Sequence, residues 1–109
     1  MTIPIPLPVS DEVQLARSIL AELAETGVRL LSRDLHLDVL LAFDNLELAA
    51  RGPWPPPSRV ASGMDVDFAL VQARDALATV LADLPRHEVE PVRVALAHDH
   101  VIKALQELP

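Results

Sequence analysis

The residue types able to do chemistry gather in two short strings. Residues 93–100 read Arg-Val-Ala-Leu-Ala-His-Asp-His, and residues 34–38 read Asp-Leu-His-Leu-Asp. In the first, His100 follows Arg93 by seven positions, which is two helical turns, so the two share a helix face. His98 points about 140° away from Arg93 on the same helix. A guanidinium beside an imidazole is what phosphodiester cleavage by proton transfer requires: an acid or base that titrates near neutrality, and a cation for the charge that develops on the phosphate. The commoner use of Arg and His at helical spacing is a solvated surface, and that reading stands beside the chemical one.

The second string could ligate a metal only as a strand. There Asp34, His36 and Asp38 would share one face, whereas on a helix residues two apart diverge by about 200°. The same divergence separates His98 from His100. The chain has no Cys, and the Glu-x-x-His element of carboxylate-bridged metal bundles does not occur in it. We therefore expect no metal and no cofactor. Nucleophilic catalysis has equally little support: Ser10, Ser18, Ser32, Ser58 and Ser62 fall at expected caps, on an outer helix face or in a loop, with no nucleophile-elbow pattern around them. Gly27, Gly52 and Gly63 read as punctuation and form no phosphate-cradling loop.

With four and six residues between Arg93 and its two histidines, the first string resembles the HEPN families, α-helical nucleases of bacterial toxin and defence systems. These carry an Arg followed at such a spacing by a His, late in a helical bundle of this size. The resemblance implies an RNA-cleaving role for Arg93 with His98 or His100, completed when a dimer brings two copies together. It covers eight residues of 109. The chain departs from the family at Val94, where a polar residue is common, and in lacking a Tyr after the His.

The elements that position these residues read as helices. Leu and Ala fill 34 of the 109 positions, a helix-former's composition. A first helix starts at Ser10-Asp11-Glu12, with acids at the positive end of its dipole. It carries Val13, Ala16, Leu20 and Leu23 inward and Gln14, Ser18, Glu22 and Glu25 outward, and ends near Thr26-Gly27. A second is expected over residues 33–51, with Leu31, Leu35, Val39, Ala42, Leu46 and Ala49 as its stripe and Gly52-Pro53 as its stop. Alternation at residues 35–39 keeps a strand open for part of 28–43. The third has the clearest seam, Val66, Leu70, Ala73, Leu77, Val80 and Leu84, with Asp65 as cap and Pro85 as end. The fourth runs from about Glu88–Pro91 to Leu108, with Val94, His98, Val101, Leu105 and Leu108 along its seam.

Seven of the ten prolines lie in residues 4–8 and 53–57. Residues 1–9, Pro at every other position, predict an extended arm in which Ile3, Ile5 and Leu7 are candidate contact residues. Residues 52–63 predict a polyproline-type connection between helices two and three, crossing the end of a bundle with Trp54 folded onto the core. Trp54 and Phe68 complete the candidate interaction residues. The expected fold is all-α, an antiparallel four-helix bundle over residues 10–109 behind the Pro-rich arm.

Charge and size narrow the function. Nine basic residues against sixteen acidic give a net charge of −7, which disfavours direct binding to nucleic acid or an anionic membrane. The longest apolar run is too short for a membrane helix. The absence of Cys fits a reducing cytoplasm, and an N-terminus without a basic region predicts no signal peptide. A chain this short cannot hide all of its Leu alone, which predicts a homodimer or another protein partner. The sequence reading is thus a small acidic, non-enzymatic cytoplasmic protein that works by protein–protein interaction, of a regulatory, adaptor, inhibitor or immunity type. The HEPN-like ribonuclease is its alternative.

Overall fold

A computed structural model describes residues 11–50, 65–87 and 89–108. Four long helices and one short turn make up the described chain: α1 (Asp11–Leu30), α2 (Arg33–Ala49), α3 (Val66–Ala82), α4 (Leu84–His87) and α5 (Pro91–Gln106). The helix reading of residues 33–49 holds, and with it the strand alternative falls. Each start has a local cause. Asp11 and Glu12 occupy the first turn of α1. Ser32 caps α2, its hydroxyl accepting from the Leu35 amide at 3.3 Å. Asp65 caps α3 by accepting from the Asp67 amide, and Pro91 opens α5, where its missing N–H has no helical partner to lose. Ile3, Ile5, Leu7 and Trp54, with the arm and the Pro-rich connection, lie outside the described residues.

The helices pack as a square in which α1 touches α2 and α3, and α5 touches α2 and α3. The tight α1–α2 and α3–α5 links make each sequential pair antiparallel. At the far end of α2 the backbone turns extended, the Glu90 amide donates to the Ala49 carbonyl at 2.8 Å, and Ala50 pairs with Val89. The chain therefore leaves α2 where α5 begins and re-enters α3 at the opposite end. Every neighbouring pair is antiparallel, and the connection from α2 to α3 is the single long crossover of a bundle of this type. α2 and α3 are thus diagonal and run the same way, and the Pro-rich connection expected between them lies outside the described residues.

The core is drawn from the predicted stripes. Val13, Ala16, Leu20 and Leu23 of α1 are buried, as are Leu35, Val39, Ala42, Leu46 and Ala49 of α2 and Leu70, Ala73, Leu77 and Val80 of α3. Ser18, expected outside, is buried. The seam of α5 differs from the prediction: Val94, Ala97, Val101 and Ala104 line it, while His98 is only half-buried and Leu105 and Leu108 pack at the core's margin. Val94, Ala97, Val101 and Ala104 set the buried face of α5, which leaves His98 at its side.

The first helix also outruns its expected end by three residues. Gly27 does not terminate it: the Leu31 amide donates to the Gly27 carbonyl at 3.0 Å and the helix continues to Leu30. Gly27 serves close approach instead. A Cβ there would lie 2.7 Å from His36 Cδ2 and 2.8 Å from Leu31 Cδ1. His36 cannot yield freely, since its Nε2 is hydrogen-bonded to the Ala24 carbonyl at 2.9 Å, tying the start of α2 back onto α1. Gly27→Ala is therefore expected to destabilise by about 1–2 kcal/mol despite the better helix propensity of Ala. Urea unfolding checks this, and combining Gly27→Ala with His36→Ala should cost clearly less than the sum of the two single changes.

Candidate functional site

The chemistry-bearing residues meet along the α2–α5 contact. Arg93 Nη1 donates to Asn45 Oδ1 at 3.1 Å, and His100 Nδ1 lies 3.0 Å from Asp38 Oδ1. Seven residues separate the partners on each helix, so the two pairs are rungs of one antiparallel register, about 10 Å apart along the axis. The His100 and Asp38 side chains are only 18% and 14% exposed. A polar pair this far out of water is worth having only when both members are satisfied, and it fixes how α5 slides along α2. On the other flank of α2, Arg17 of α1 places Nε and Nη2 each 3.0 Å from Glu47 Oε1, so α2 is pinned from both neighbours.

Arg93 and His100 share a face, as their spacing predicts, but each is engaged by a different residue of α2. Within one chain they stand on separate rungs. His98, on the other side of α5, joins neither. The Asp34, His36 and Asp38 string is likewise dispersed: His36 turns to α1, Asp38 to α5, and Asp34 to solvent. Among the described residues no group of three or more His, Asp and Glu could hold a metal ion. Phe68, in the first turn of α3, is exposed.

Beyond the His100 rung the α2–α5 contact ends in like charge. Some loss of hydration and the nearby carboxylates of Asp38 and Asp34 hold the Glu107 carboxyl above its ordinary range, against the pull of Lys103. Glu107 is itself exposed, so the neighbouring carboxylates are the cause with geometric weight.

Sequence reasoning missed a second apolar stripe on α2. Leu37, Leu41 and Leu48 recur at steps of four and seven, on the side of α2 turned away from the core. Leu37 and Leu48 are 53% and 61% exposed, and Leu41 is half-buried. On α5, Val92 and Leu96 are also exposed. Leu41 falls between Asp38 and Asn45 at helical spacing and Leu96 between Arg93 and His100, so the apolar residues border the polar rungs. The signal was present in the sequence, since α2 has apolar residues on two faces where an ordinary surface helix has one. No protein family, curated protein or solved structure matches the chain.

Two outcomes follow from this geometry. His100→Ala and Asp38→Ala should each destabilise by about 1–3 kcal/mol, with the double variant well short of the sum, measured by a double-mutant cycle in denaturant. Glu107 binds its proton more tightly folded than unfolded, so its favourable contribution is present at acid pH and is lost as pH rises through its raised value. Glu107→Gln should accordingly melt higher than the native chain at neutral pH. The two melting temperatures should converge below the ordinary Glu range.

Proposed function

We propose that the protein acts by binding another protein through the outer face of α2 and α5, as a small non-enzymatic component of a regulatory, adaptor, inhibitor or immunity type. One observation carries this reading. Leu37 and Leu48 of α2 and Val92 and Leu96 of α5 are exposed, and half-buried Leu41 links them into one apolar strip. Strips of this kind on a small soluble domain mark interaction sites more often than accidents of composition. Net acidity supports a protein partner over a nucleic acid, because phosphate polymers are held mainly by clustered Lys and Arg. No described helix is long and apolar enough to cross a membrane.

The ribonuclease alternative draws its support from the HEPN-like spacing of Arg93 and His100 and from the carboxylate that orients the His100 ring. A cleavage assay on structured and unstructured RNA separates the readings. RNA incubated with the purified chain should remain intact. Cleavage that disappears in both Arg93→Ala and His100→Ala would replace the interaction reading with the enzymatic one.

A further inference from the structure

We infer that the outer α2–α5 strip receives a basic amphipathic helix from a partner protein, an inference that rests on the interaction reading above and names the chemistry of what is bound. The strip has the form of one half of a helix-packing seam. Leu37, Leu41 and Leu48 on α2 are spaced as knobs for a third helix, and Leu96 stands level with Leu41 in the register set by the two polar rungs. An apolar row of this length on two neighbouring helices fits the helix-in-groove mode, in which a partner lays residues at i, i+3, i+4 and i+7 between them.

Charge chooses the occupant. Exposed acids surround the strip: Asp34 and Asp44 on α2, Glu90 at the mouth of α5, and Asp99 and Glu107 along α5. Among the described exposed residues of the same face, Arg33 and Lys103 oppose them. A second copy of the chain would meet the strip with the same surface, because a two-fold contact is self-complementary, and acid would face acid. A helix with Leu or Ile on one side and Lys or Arg along both flanks would cover the apolar row and answer the rim. Asp34, Asp38 and Glu107 crowd negative charge at one end of the strip, where a partner cation gains most.

The test uses the full chain and two labelled synthetic helices that share Leu at heptad a and d positions. One carries Lys and Arg at its flanks, the other Glu. Fluorescence anisotropy should show the basic helix binding, with the acidic one at least about tenfold weaker, and binding should weaken as salt rises from about 0.05 to 0.5 M. Leu48→Lys and Leu37→Lys should each weaken the basic helix by about tenfold or more, whereas Phe68→Ser on α3 and Leu15→Ser on α1 should leave it unchanged. All four positions are exposed, and matched melting curves confirm that the variants fold. Equal binding of the two helices, binding of neither, or indifference to Leu37→Lys and Leu48→Lys overturns the inference. So does sedimentation of the chain alone as a dimer that Leu37→Lys dissociates, since a second copy is then the occupant. That last result sustains the broader interaction reading, which fails only if the chain cleaves RNA through Arg93 and His100.

Discussion

The antiparallel register of α2 on α5 is the constraint on which the rest of the molecule depends. Two polar rungs, Arg93 with Asn45 and His100 with Asp38, allow the helices one relative position, and Ala97 and Ala104 let them approach closely enough for the rungs to form. A slip by one turn in either direction would break both pairs and set Arg93 against Leu41 or Ala49, at the cost of leaving part-buried polar groups unsatisfied. The hydrophobic effect alone does not give such precision, because leucines tolerate sliding. Once α2 and α5 are fixed, α1 is set by the Arg17–Glu47 pair and by His36 reaching Ala24, and α3 closes the square by filling the remaining apolar side.

The same constraint explains what the groove's outer side looks like. The rungs occupy the boundary between the core and the solvent, so the next residues round each helix are already outside. On α5 these include Asp99, Lys103 and Glu107, ordinary for a surface; on α2 they are mostly leucines. A helix with apolar residues on two sides is stable in a bundle only because its exposed side is narrow and edged with charge. Its acidic edge and the polar rungs beneath it give the strip a direction and a sign, which a plain greasy patch lacks.

Much of this architecture was legible in the sequence. Helix positions followed from apolar spacing and from caps, and α3 is the clearest case, with Asp65 at one end and its four central seam residues buried. The face shared by Arg93 and His100 followed from their seven-residue spacing. What the sequence did not show was which partners they would find, because Asn45 and Asp38 lie 48 and 62 residues away along the chain and only the topology brings them near. A four-three spacing treats all positions alike and so puts His98 on the seam. The close α2–α5 contact favours alanines there, and the helix turns accordingly. Gly27 looked like a terminator because glycine usually is one, whereas here its missing side chain makes room for His36.

The crossover has a consequence for how the chain reaches its fold. The α2–α5 contact, which sets the register, joins stretches that are far apart in sequence, so α2 forms well before its stabilising neighbour has been synthesised. During that interval both apolar sides of α2 are bare, and only α1 is at hand to cover one flank. Folding of this bundle should therefore be slower than that of an up-and-down bundle of equal length, whose contacts are more local. The nascent chain also passes through a stage in which α2 is its most adhesive segment.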